Sequence, residues 1–166
     1  MSATLTGAAE ALARARATLE TVLDPEIPAL NVYELGLIRF VDASDHRARV
    51  GVTPTYTGCP ASAFIRRAIE EALRADGFQE VEVIEVLTPP WSSADLTPTG
   101  RRKLEAYGIA PPAGRRANRD PRGSPRRCPR CHGADLECVS EFGSTPCKAL
   151  YRCRACGEPF DYFKCL

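Results

Sequence analysis

The chain has 166 residues, a hydrophobic share of 44% and a formal net charge of +1. That length suits one ordinary domain plus a small one, with enough apolar residues for a core in the larger. No apolar run reaches the roughly 18 residues of a membrane span, and the N-terminus lacks the hydrophobic stretch of a secretory signal. Together these point to a cytoplasmic protein, whose reducing surroundings disfavour a disulfide framework for the eight cysteines.

Residues 8–23 carry Leu12, Ala15, Leu19, Val22 and Leu23 at helical spacing, and Pro25 ends that helix by restricting Asp24. Ile38 to Val41 and Arg47 to Thr53 read as a hairpin around the polar turn Ala43-Ser44-Asp45-His46. A helix beginning near Pro60 is expected to bury Phe64, Ile65, Ala68, Ile69, Ala72 and Leu73 and to end at Gly77. Val81 to Leu87 follows as a strand and Thr97 to Tyr107 as a last short helix. The fold class is therefore α+β, a small mixed or antiparallel sheet with packed helices, occupying residues 1–108.

Charge is unevenly spread: residues 1–100 hold 8 basic and 14 acidic groups, residues 101–130 hold 10 and 2, and the rest 4 and 5. Residues 109–127 are rich in Pro, Gly and Arg with few large apolar side chains, so they read as a linker. Its Arg115, Arg116, Arg119, Arg122, Arg126 and Arg127 suit a flexible tether or a docking strip for an acidic protein partner. A nucleic-acid role is disfavoured, because no aromatic side chains interleave with these arginines.

Residues 128–166 carry the strongest chemical signal. Cys128-Pro129-Arg130-Cys131 and Cys153-Arg154-Ala155-Cys156 are two C-x-x-C pairs with 21 residues between their inner members. Four thiolates at that spacing close a tetrahedron, and the bound metal supplies folding energy that so short a segment lacks. Zinc is the expected occupant, with iron as the alternative metal and a redox dithiol as the non-metal one. Leu136 to Phe142, Leu150 to Cys153 and Pro159 to Phe163 would supply the strands of a three-stranded zinc ribbon. Cys138, Cys147 and Cys165 lie outside the two pairs. They either pack as small hydrophobes or, for Cys147 and Cys165, form a second thiol site. His46 and His132 are read as solvated or structural.

Cys59 is the one cysteine before residue 128 and directly precedes Pro60, so it is placed at a helix N-terminus. There the helix dipole would favour its thiolate; a buried gap-filling residue is the other reading. Asp24 and Glu26 flank Pro25 in a stiff loop, where they either bind or tune a metal or thiol, or simply end one helix and face water.

Asp24-Pro25-Glu26, Leu35-Gly36-Leu37-Ile38 and Thr57-Gly58-Cys59-Pro60 resemble the metal-sulfur cluster assembly domain, a small α+β module of iron-sulfur protein maturation. A longer set resembles the phenylacetate-degradation protein D family: residues 53–61, Tyr107-Gly108-Ile109-Ala110-Pro111-Pro112, residues 140–151 and residues 158–165. That resemblance implies an accessory role beside the multicomponent oxygenase that converts phenylacetyl-CoA to its 1,2-epoxide in aerobic phenylacetate breakdown. It implies Cys59, Asp24 and Glu26 as the site passing iron or an iron-sulfur cluster toward the reductase or oxygenase subunits. The chain has no Glu-x-x-His pairs for di-iron and no Gly-rich dinucleotide turn, so it is not expected to be catalytic alone. The rival expectations are a structural or electron-relay subunit of that complex and a nucleic-acid-binding zinc-ribbon regulator.

Overall fold

The structure, a computed structural model, describes residues 2–113 and 123–164. Arg115, Arg116, Arg119, Arg122 and Cys165 lie outside the described residues. Two compact units divide the chain, Met1–Trp91 and Ser92–Leu166.

The first unit opens with helix α1 (Ser2–Glu20), which buries Ala11, Ala15 and Leu19. It stops at Glu20 rather than at residue 23. Thr21 and Val22 close it with bonds to Thr18 O and Leu19 O, and the chain then folds back. Leu23 forms an antiparallel bridge with Asn31, while Asp24 N–H donates to Leu30 O and Val32 N–H to Val22 O. Backbone pairing thus ends the helix three residues short of the end expected from Pro25. The return loop contributes Ile27, Leu30, Val32, Leu35 and Leu37 to the core. Its turn is fixed by a reciprocal capping arrangement: Asn31 Oδ1 accepts from the N–H of Tyr33 and Glu34, and Glu34 Oε2 accepts from Asn31 N–H.

Strands β1 (Ile38–Ser44) and β2 (Arg47–Val52) pair antiparallel across the turn at Asp45 and His46. Strand β3 (Glu80–Glu85) pairs parallel with β2, with Val50 opposite Val83, giving a three-stranded mixed sheet in the order β1-β2-β3. Alternation puts Ala48, Val50 and Val52 on the buried face of β2. On the other face the Phe40 ring lies where a Cβ at Gly51 would stand, and the Arg49 guanidinium sits 5.7 Å from that ring.

Helix α2 (Ala61–Ala75) is the crossover that a parallel pair requires. Its buried stripe is Ala61, Ile65, Ile69 and Leu73, every fourth residue. Phe64 lies off that stripe and is 68% exposed, and Ala68 and Ala72 are only half-buried, so the expected broader apolar face is corrected. Phe78 supplies the core aromatic instead, 2% exposed beneath the Arg14 guanidinium. Gly77, at φ 100°, takes the left-handed position after the helix, as its sequence position suggested.

The second unit begins with helix α3 (Pro98–Tyr107). Thr97 caps it through Gly100 N–H and Gly108 ends it at φ 91°. Strand β4 (Ile109–Ala110) follows and pairs parallel with β7 (Pro159–Phe163). With β6 (Lys148–Cys153) and β5 (Leu136–Ser140) it completes a four-stranded sheet, β4-β7-β6-β5. The sequence placed Ile109 and Ala110 in a linker and expected three strands. The open edge of β7 recruits them, and both are buried. Helix α3, assigned from sequence to the first domain, falls in the second unit. The small core of this unit gathers Ala110, Cys128, Ala149, Cys153, Phe160 and Tyr162. Tyr151 stacks on Phe160 and meets Tyr162 edge-on.

Candidate functional site

The four paired cysteines converge as expected. Cys128, Cys131, Cys153 and Cys156 bring their sulfurs within 4.8 Å of one another. The Cys131–Cys153 and Cys128–Cys156 separations are 3.5 and 3.9 Å. Bonds of about 2.3 Å to a tetrahedral zinc put thiolate sulfurs roughly 3.8 Å apart, so the donor set fits the ion.

Local backbone geometry explains the convergence. Cys128 N–H donates to Gly133 O and His132 N–H returns to Cys128 O, with His132 in the left-handed region at φ 60°. That tight turn aims the N–H of Arg130 at Cys128 Sγ and the N–H of Gly133 at Cys131 Sγ, both at 3.4 Å. A Cβ at Gly133 would stand 3.3 Å from Cys131 Sγ, which explains the glycine. The second pair repeats the device: Gly157, at φ 79°, donates to Cys153 O, and Cys153 N–H donates to Glu158 O.

Cys128 and Cys153 face the core, whereas Cys131 and Cys156 are exposed. In the metal-free thiol set, N–H donation from Cys156 and Ala155, partly opposed by burial, brings Cys153 down to about 7. Gly133 N–H favours the Cys131 thiolate, yet the neighbouring sulfurs of Cys153, Cys156 and Cys128 push that thiol up to about 12. Cys153 is thus the readier of the two to lose its proton. A metal held by all four sulfurs would crosslink the two turns.

Cys59 lies in the loop that carries the chain from β2 to α2. Its N–H donates to Tyr56 O, and its carbonyl accepts from Ser62 N–H. Gly58 makes the preceding turn at φ 82°. Pro60 occupies the capping position of α2, not its first turn, so Cys59 stands one residue farther out than the sequence placed it. It is half-buried, and no side chain caps the helix there.

Asp24 is buried, and its Oδ1 accepts from the N–H groups of Glu26 and Ile27 at 2.8 and 2.7 Å, which stiffens the turn that Pro25 begins. Glu26 is half-buried. Among the described residues, the four-cysteine set is the one group of at least three Cys, His, Asp or Glu ligand atoms mutually this close. Cys59, Asp24 and Glu26 are not assembled into such a group.

Of the spare thiols, Cys138 is exposed on β5. Cys147 is buried, with Sγ 3.0 Å from Thr145 Oγ1. The pairing of Cys147 with Cys165 falls outside the described residues. His46 serves the fold through its carbonyl, which accepts from Gln79 and Glu80. His132 Nδ1 lies 3.8 Å from Glu105. Sequence reasoning passed over one buried ion pair, Lys148 Nζ to Asp161 Oδ2 at 3.7 Å. Ser144 Oγ donates to the same oxygen, and a Cβ at Gly143 would stand 2.7 Å from the other. The signal was the polar, glycine-bearing run Gly143-Ser144 ahead of Cys147-Lys148, read only as part of a resemblance.

Comparison with known proteins agrees with both units. The family model for the PaaD zinc beta ribbon domain matches residues 113–164, and that for an iron-sulfur cluster assembly protein matches residues 12–86. A protein of Escherichia coli strain K12, provisionally named as one of the subunits of 1,2-phenylacetyl-CoA epoxidase, is 47% identical over 152 residues, 90% of either chain. The crystal structure of a domain of unknown function, DUF59, from Bacillus anthracis superposes with a TM-score of 0.55 at 28% identity. It covers 60% of this chain and 96% of that one. With both of its parts matched and close identity running through nearly its whole length, the chain belongs to the phenylacetate-degradation protein D family.

Proposed function

We propose that this protein is an accessory factor of a phenylacetyl-CoA epoxidase that helps load iron or an iron-sulfur cluster into the reductase or oxygenase component. One observation carries the reading: an iron-sulfur assembly domain and a four-cysteine ribbon share a single chain whose E. coli relative is named as an epoxidase subunit.

In this reading the two sulfur sites divide the work. The ribbon, closed by four ligands, holds a resident zinc and acts as a platform. Cys59 is half-exposed at the mouth of α2, where first-turn N–H groups and the helix dipole favour negative charge, so its sulfur is the transfer ligand for incoming iron. Asp24 holds its loop rigid, and Glu26 supplies a second carboxylate from that loop. Iron is cargo here rather than a resident cofactor, and a site without a closed ligand cage suits release.

The test is the iron content of epoxidase subunits purified from cells carrying Cys59→Ala in place of the wild-type protein. Depleted iron in reductase or oxygenase, with one zinc retained per accessory chain, supports transfer through Cys59. Full iron in every subunit overturns it. A second reading draws on the exposure of Cys131 and Cys156, which leaves one side of the ribbon site open to an electron partner. It requires iron in the ribbon, hence a visible absorption band bleached by dithionite; a colourless zinc protein removes it.

A further inference from the structure

A cavity of 310 Å³ lies within the second unit; Ala110, Pro111, Pro112, Ala113 and Pro129 form its apolar lining and Glu105, Arg126 and Arg127 its charged one. Eight of the fifteen described arginines lie within 4.0 Å of a carboxylate. Arg126 and Arg127 make no hydrogen bond or ion pair among the described residues. Arg101 holds one of the lining prolines from outside the cavity: its two terminal nitrogens donate to Pro112 O and Ser93 O at 2.6 and 2.5 Å, both neutral acceptors. The one carboxylate in the lining, Glu105, sits 3.8 Å from His132 Nδ1.

We infer that this cavity docks an acidic peptide segment of a protein partner, with Arg126 and Arg127 each gripping a carboxylate and an apolar side chain between them resting on the proline-rich lining. The partner is the client subunit of the reading above, on which the inference rests. A guanidinium fork matches the two oxygens of a carboxylate or of a phosphate. The apolar lining favours the carboxylate peptide: three of its five residues are prolines, which have no N–H to offer, so few backbone donors remain to ring a phosphate. An apolar side chain needs only such a lining, and proline loses little freedom on being covered.

The test uses the full-length, zinc-loaded protein and a fluorescein-labelled Glu-Glu-Leu-Glu-Glu peptide followed by anisotropy. Binding is expected to weaken as salt rises and to fall at least about tenfold in R126E/R127E. R126Q/R127Q should show a smaller loss in the same direction, with zinc content and circular dichroism unchanged in both variants. Salt-insensitive binding, equal binding by the charge-reversed variant, or no binding by wild type overturns the assignment. So does inorganic pyrophosphate that binds more tightly than the peptide, which would mark a phosphate site. Cys59→Ala should bind the peptide as wild type does, so failure here and failure of iron transfer are distinguishable.

Discussion

Replacing Asp161 by Asn removes the charge facing Lys148 while keeping the size of the side chain. The Lys148 side chain is 5% exposed and its nitrogen lies 3.7 Å from the carboxylate. At that distance and an effective dielectric of about 20, the attraction is about 4–5 kcal/mol. Breaking a buried pair from one side costs about 3–5 kcal/mol, because the remaining charge stays out of water. The amide can still accept from Ser144, which places the expected loss at about 3 kcal/mol, or roughly 12–24 °C in the melting temperature of a unit this small. The assay is thermal unfolding of the zinc-loaded protein, read by the near-UV signal of the tyrosines around Phe160. Trp91 fluorescence reports the first unit separately. Lys148→Met combined with Asp161→Asn removes both charges and should recover at least half of the loss. A single variant within about 0.5 kcal/mol of wild type, or a double variant at least as unstable as it, refutes the reasoning.

Cys128→Ser should abolish stoichiometric zinc by metal analysis and collapse the ribbon's dispersed amide spectrum, while the resonances of the first unit persist; one zinc retained per chain counts against the four-ligand assignment. Trp91→Phe removes the Nε1–H donor to Leu35 O, a buried bond of 2.8 Å, and should cost the first unit about 1–3 kcal/mol in urea unfolding. Zinc affinity should fall with falling pH, since thiols must ionise to bind. With the free Cys153 thiol at about 7, nearly one fewer proton should be displaced at pH 8 than at pH 6, as measured by calorimetry in buffers of different ionisation heat. Equal proton release at both values would exclude that role for Cys153.

The four-cysteine site was legible because its spacing and its glycines are local properties, and each turn needs only its own few residues to aim its sulfurs. The hairpin and α2 were legible for the same reason of periodicity. What escaped was decided by distant backbone. The end of α1 is set by pairing of residues 22–24 with residues 30–32, and β4 exists only because β7 has a free edge. Phe64, expected in the core, is exposed because the buried stripe of α2 runs through every fourth residue from Ala61 and position 64 lies off it. The burial of Lys148 had no local signal, since its acidic mate lies thirteen positions away and is brought near only by the pairing of β6 with β7.

The parallel pairing of Ile109 with Asp161 and Ala110 with Tyr162 has a practical corollary for anyone excising the ribbon. A fragment cut at residue 113, where the matched ribbon family begins, would leave the flank of its last strand bare and strip cover from Tyr162. Such a piece would be apt to stick to its own kind through that flank, whereas one started ahead of Thr97 would carry its own seal.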